Sequence, residues 1–332
     1  MVNMFVDGEW RTDAYESTDD EGEFQRDETA FRDRIRDDPD ATYPAEPGRY
    51  HLYVSRACPW AHGAVLVRRL AGLTDVVSMD VLDPYRDEDG WQFTPEKPGC
   101  DPDTVNGFDY LREAYVASDP DYTGRVSVPV LWDTEREEIV NNESIEVMRM
   151  LATAFDAHGN GVDLYPEGHR DAVDRVVSEL YDAVNNGVYR AGFADSQPAY
   201  EEAVADLFDA LDRWDDVLAD RRYLVGEQMT LADLRLFPTL VRFDEVYHTH
   251  FKCNVREIRD YEHLWPYLRD LYQTPGVAAT VDMGHIKEHY YTTHADLNPK
   301  GIVPVGPDPD FAAPHDRDAL PGDRPAALDA AR

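Results

Sequence analysis

The chain is poor in cysteine, in lysine and in long apolar runs. Its three cysteines, Cys58, Cys100 and Cys253, are too few and too scattered for a disulfide framework or a zinc site. Lysine occurs only at Lys97, Lys252, Lys287 and Lys300. Basic residues number 32 against 67 acidic ones, a formal net charge of −35. Nucleic acid and anionic membrane surfaces are therefore poor partners. No apolar run is long enough to cross a membrane and no stretch reads as a signal peptide. The expectation is a cytoplasmic protein with reduced thiols.

The acidic residues are spread along the chain rather than gathered in one tail. Acid excess with little lysine fits a protein adapted to molar salt. There the Debye length is only about 3 Å, and self-repulsion is screened. An acidic patch for a basic partner explains an even spread less well. At 332 residues the chain is long enough for two domains, each with a core.

Residues 50–62 carry the chemistry. Tyr50, Leu52 and Val54 alternate with His51, Tyr53 and Ser55, as in a strand with one buried face. Ala57-Cys58-Pro59-Trp60 follows, then Ala61, Ala64, Val65, Val67 and Leu70 at helical spacing. Proline is tolerated at the first helical position, so Cys58 falls at or just before a helix N-terminus. Unpaired backbone N–H groups and the positive end of the helix dipole favour thiolate there. The alternative is a buried, inert cysteine. Ala61 stands where a C-x-x-C pair would have its second cysteine. A lone thiolate cannot close its own disulfide and suits chemistry through a mixed disulfide with an external thiol.

Around this stretch the pattern reads β-α-β, α, β-β-α. Residues 1–48 are polar and acidic and read as an extended arm. Strands are expected over 50–56, 75–82 and 127–132, with 138–140 as a hairpin partner. Helices are expected over 59–71 and 108–117 and after Ser144. Residues 83–107, with Trp91, form a long insertion, which in a compact domain is functional or disordered. Pro129 in Ser127–Trp132 conflicts with a fully paired strand, and a cis Val128–Pro129 bond resolves this. The α/β thioredoxin-like domain spans 49–157. From 169 to 306 the signal is all-helical, with a capping box at Thr230-Leu231-Ala232-Asp233. Residues 307–332, rich in Pro, Ala and Asp, are expected to be a disordered acidic tail.

Taken together, these features resemble a cytosolic glutathione transferase. Ser55–His62, the insertion with Trp91, Asn185-Asn186-Gly187-Val188-Tyr189-Arg190, and His285 to Tyr290-Tyr291 resemble more closely the xi class, the omega-like glutathionyl-hydroquinone reductases. The resemblance implies that Cys58 attacks the sulfur of a glutathionyl-hydroquinone, releasing the hydroquinone and leaving a mixed disulfide that a second thiol resolves. It implies that Tyr189 and either Tyr290 or Tyr291 line the ring pocket. Trp91, Arg125, Val128, Pro129, Glu143 and Ser144 would hold the thiol: Val128 through its backbone, Ser144 at a helix N-terminus, Glu143 at the ligand's amino group. The co-substrate is glutathione or, as in salt-adapted archaea, γ-glutamylcysteine, which lacks the glycine carboxylate Arg125 could meet. A homodimer is also implied. Competing readings are a broader omega-like thioltransferase or dehydroascorbate reductase, and a non-catalytic binding module. A metal site from His285, His289 and His294 lacks a completing ligand, and no metal is expected.

Overall fold

The computed structural model describes residues 3–15 and 17–329. The chain forms two compact units. The first comprises Met1–Glu16, Arg26–Asn160 and Thr280–Val303; the second comprises Ser17–Gln25, Gly161–Ala279 and Pro304–Arg332.

The first unit opens with β1 (Met4–Val6) and β2 (Glu9–Arg11). Then come β3 (Tyr50–Val54), α1 (Pro59–Leu70), β4 (Ser78–Val81) and α2 (Arg112–Ser118). β5 (Gly124–Arg125), β6 (Val130–Asp133), β7 (Glu138–Asn141) and α3 (Ser144–Thr153) complete it up to the linker. A four-stranded sheet has the order β4-β3-β6-β7, with β3 parallel to β4 and antiparallel to β6. This is the expected β-α-β-α-β-β-α thioredoxin-like order. The proline conflict resolves as expected: Val128–Pro129 is cis and Pro129 lies just before β6, outside the ladder. On α1, a Cβ at Gly63 would fall 2.6 Å from the Met148 sulfur of α3, so glycine permits that approach.

Three features of this unit differ from the sequence reading. First, β3 is buried on both faces, not one. The residues expected outside find polar partners instead: His51 with Ser78 at 2.8 Å and Asp80 at 3.2 Å, and Tyr53, which donates to Asp103 at 2.9 Å. Second, part of the N-terminal arm is a sheet, order β2-β1-β5, with Phe5 buried against Trp10 and Tyr122. Third, the 83–107 insertion has no helix or strand of its own but is packed. Asp103 accepts the backbone N–H groups of Val105, Asn106 and Phe108. Asp83 accepts from Tyr85, Thr94 and Lys97.

The second unit is helical: α4 (Arg170–Leu180), α5 (Gly187–Gly192), α6 (Gln197–Leu218), α7 (Leu231–Arg242), α8 (His248–His250) and α9 (Leu264–Tyr272). Two π-helical turns, Tyr181–Asn185 and Phe243–Tyr247, lead into α5 and α8. The expected capping box starts α7, and Asp233 also accepts from Leu224 N–H and the Tyr267 hydroxyl, both inside the core.

The domain boundaries differ from 169–306. The last long helix, α10 (Met283–Thr293), belongs to the first unit, and the short segment 17–25 belongs to the second. The stretch expected to be a disordered tail packs on the helical unit as far as it is described; 330–332 lie outside the described residues. Arg317 is buried there and donates to the carbonyls of Leu218, Arg221 and Arg222 at the end of α6. Arg324 and Arg222 both grip the buried Asp270. Two arginines thus anchor a segment whose composition alone reads as unstructured.

Candidate active site

Cys58 is the N-cap of α1, in extended backbone conformation, with Pro59 at the first helical turn. Its N–H donates to Ser55 O and its carbonyl accepts from His62 N–H. The sulfur lies 3.6 Å from the Val128 carbonyl oxygen. Strand, turn and helix thus aim the cysteine at the residue before the cis-proline, and Cys58, Val128 and Pro129 form one locus. One turn down α1, the His62 imidazole sits 2.8 Å from the Thr280 hydroxyl, which fixes its ring in the core.

The other two cysteines are held differently. Burial pushes both the Cys100 and Cys253 thiols up from their ordinary value. Neither caps a helix, and their sulfurs lie 3.8–4.0 Å from backbone carbonyls.

Glu143 and Ser144 start α3. Glu143 is the N-cap and accepts from Ile145 N–H, with Ser144 Oγ 3.5 Å and the Thr29 hydroxyl 3.2 Å from its carboxylate. Tyr115, which the sequence did not single out, ties this helix start to the cis-proline loop. Its buried hydroxyl donates to Ser127 O at 2.8 Å and accepts from Ser127 N–H and the Asn142 amide, each at 3.1 Å. The residues just before Val128 and just before Glu143 therefore share one anchor. Glu146, a turn further, is also held from the arm: it accepts two hydrogen bonds from Arg32, at 2.8 and 2.7 Å, and one from Arg34.

Arg125 stacks over the Tyr15 ring at 4.6 Å and donates to its hydroxyl at 3.3 Å. Trp91 is buried, lies parallel to His289 at 5.2 Å, and has Arg86 over its ring. Tyr290 meets the same His289 edge-on, so Trp91 and Tyr290 share one cluster around α10. Both Tyr290 and Tyr291 are buried. The sequence pattern places 280–294 in the helical domain, and their return to the first unit is what brings Tyr290 to Trp91. The histidines of the same helix are turned to carbonyls, His285 to Pro98 and His289 to Pro84. Among the described residues no cluster of His, Cys, Asp and Glu could hold a metal ion.

Tyr189 belongs to the second unit, on α5. Its ring lies among Phe24, Phe193, Tyr247 and Phe251. Phe24 and Phe251 were not expected there. A lone phenylalanine in an acidic arm carries no periodic signal, and only the fold brings it to α5.

A thioredoxin-like unit with an N-cap cysteine facing a cis-proline loop, followed by a helical unit with a buried capping box, defines the glutathione transferase class. Models of the glutathione S-transferase N-terminal and C-terminal domains match residues 57–154 and 197–273. The chain is 47% identical to the glutathionyl-hydroquinone reductase YqjG of Escherichia coli, over 96% of this chain and 99% of that one. The solved xi-class transferase from Natrialba magadii is 61% identical, with a TM-score of 0.92 over 97% of this chain and 98% of that one. The glutathione-bound structure of YqjG has a TM-score of 0.87 at 46% identity, covering 95% of this chain and 99% of that one. The chain belongs to the glutathione S-transferase family and, within it, to the xi class of glutathionyl-hydroquinone reductases. No helix among the described residues is long and apolar enough to cross a membrane.

Proposed function

We propose that the protein reduces thiol conjugates of hydroquinones through Cys58. The observation that carries this reading is Cys58 at the N-cap of α1 with its sulfur 3.6 Å from the Val128 carbonyl. The thiolate attacks the sulfur of the conjugate. The aryl carbon–sulfur bond breaks, its electron pair stays with the ring, and the ring takes up a proton as the hydroquinone leaves. A Cys58–thiol mixed disulfide remains. A second thiol attacks the ligand sulfur, releases the oxidised dithiol and restores Cys58. Each cycle consumes one free thiol: its sulfur and the conjugate's own sulfur leave joined as the disulfide, and the ring carbon is reduced.

The family relationship supports the remaining roles. The Val128 backbone pairs the cysteinyl part of the thiol beside Pro129. Ser144 and the N-terminus of α3 take the γ-glutamyl carboxylate, and Glu143 takes the amino group. Arg125 and Trp91 complete the thiol site. Tyr189 and one of Tyr290 and Tyr291 supply a hydroxyl toward the ring oxygen as charge develops there. Glutathione is the co-substrate supported by the glutathione-bound relative; γ-glutamylcysteine fits the same site without engaging Arg125. The acid excess and the Natrialba relative support a cytoplasmic protein of a halophilic archaeon, and the family's homodimer is part of this reading.

The test is release of hydroquinone from a glutathionyl-hydroquinone in molar KCl, with glutathione or γ-glutamylcysteine, beside Cys58→Ala. The expected result is release that needs Cys58 and a mixed-disulfide mass on the wild-type protein. Release by Cys58→Ala at the wild-type rate overturns the mechanism. A mixed disulfide without release points instead to a general thioltransferase.

A further inference from the structure

The β6–β7 hairpin stops short of the residues it delivers. Its pairing runs from Asp133 with Glu138 to Leu131 with Asn141, and the register slips between Trp132 and Leu131. Residues 126–129, with the cis-proline, and Asn142, just before the start of α3, lie beyond its open end and outside any strand. Pro129 has no N–H to donate. Backbone groups past the end of a ladder need partners elsewhere.

One buried side chain of α2 supplies them. The Tyr115 hydroxyl donates to Ser127 O at 2.8 Å and accepts from Ser127 N–H and the Asn142 amide, each at 3.1 Å. A hydroxyl has one proton and two lone pairs, so its bonding positions are filled. It stands toward Ser127 as a neighbouring strand would. Asn142 is fixed in turn by the arm: its Oδ1 accepts Phe31 N–H at 3.2 Å, and its own N–H donates to Phe31 O at 3.1 Å. The Tyr115 ring is wedged between Phe31, edge-on at 5.7 Å, and Tyr122 at 5.2 Å. Tyr122 adds a second hold on the same loop, donating to Arg125 O at 2.9 Å.

We propose that Tyr115 is a positioning residue for thiol recognition: its hydroxyl joins Ser127 to Asn142 and thereby fixes the Val128 backbone relative to Glu143 and Ser144. The inference rests on the reading of those three residues as the thiol site. The nucleophile is held separately. The Cys58 backbone is bonded to Ser55 and His62, in its own strand–turn–helix segment. Losing the Tyr115 hydroxyl therefore acts on binding of the thiol moiety and leaves the chemical step at Cys58 in place.

The experiment measures equilibrium binding of S-methylglutathione to the full chain in molar KCl, beside kcat and KM for release from a glutathionyl-hydroquinone. The blocked sulfur of the probe forms no mixed disulfide. Tyr115→Phe removes only the hydroxyl and is expected to raise Kd and KM about tenfold, with kcat within about twofold of the wild type. Asn142→Ala cuts the link from the other side and is expected to raise both by about threefold or more. A structural role alone would lower the melting temperature and leave Kd and KM unchanged. If Tyr115→Phe does not fold, Asn142→Ala carries the test. An unchanged Kd in the folded variants, a kcat that falls at constant KM, or a wild type that does not bind S-methylglutathione overturns the proposal. A wild type that releases no hydroquinone, with Kd raised in Tyr115→Phe, overturns the reductase reading and leaves the role of Tyr115 standing.

Discussion

Replacing Glu146 by glutamine tests whether the arm is clamped to the start of α3 by charge. The Glu146 carboxylate is buried and held to about 2 from an ordinary 4.5, chiefly by its paired hydrogen bonds with Arg32, with the Asn141 amide and Arg34 adding to it. At about 1.4 kcal/mol per pKa unit, that difference corresponds to at most about 3 kcal/mol. Arg32 and Arg34 are half exposed, 46% and 60% by side chain, so solvent screening lowers the net value to about 2 kcal/mol. A carboxylate with a depressed folded-state pKa stabilises the fold above its unfolded value of 4.5 and loses that contribution as pH falls through about 2. Glutamine keeps the shape and the Asn141 contact and removes the charge. Urea unfolding at constant salt is therefore expected to show Glu146→Gln about 2 kcal/mol less stable at pH 7. By pH 3 less than half of that difference should remain, by the same linkage. An unchanged midpoint at pH 7, or an equal loss at both pH values, refutes the clamp.

Two other outcomes are open to measurement. Arg317→Met removes the donor that satisfies three carbonyls at the end of α6. Buried acceptors left unpaired cost roughly 1–3 kcal/mol, so the melting temperature should fall and subtilisin should cut within 307–329 sooner; cleavage at the wild-type rate counts against an anchored tail. Brief iodoacetamide treatment at pH 7, read by peptide mass, should modify Cys58 before Cys100 or Cys253, whose thiols burial pushes up; earlier labelling of Cys253 contradicts the assignment of Cys58 as the reactive thiol.

The parts of the fold that were legible in the sequence are those written in short-range pattern. The strand before Cys58, the proline after it, the Val128-Pro129 pair and the Thr230–Asp233 capping box are local devices, and each element appears where its pattern puts it, although the alternation in the strand does not mark an exposed face. What was not legible depends on partners far along the chain. Helical periodicity in 283–293 says that a helix forms, not which unit buries it; Lys97 with Glu288 and Trp91 with His289 decide that. The tail reads as disordered because it is rich in Pro, Ala and Asp, yet Arg317 and Arg324 find acceptors roughly 50 to 100 residues away. Phe24 was one isolated aromatic until the 17–25 segment brought it to Phe193.

The acid excess divides along the same line. Composition counts carboxylates but does not say where they point. Asp103, Asp133, Asp233 and Asp244 are buried, and each accepts backbone N–H groups from loops or helix starts that have no ladder to satisfy them. Asp133 also takes Arg49 in a paired bond, and Asp270 takes Arg222 and Arg324. These carboxylates belong to the fold at any salt concentration, because their partners are within hydrogen-bond distance and shielded from water. Any effect of salt on stability therefore falls on the exposed remainder. Raising KCl should stabilise the protein by screening surface carboxylates while leaving the buried set unaffected. Neutralising a buried member, as in Asp103→Asn, should cost stability equally at 0.2 and 2 M KCl. A cost that fades with salt would return Asp103 to the surface class that composition alone suggests.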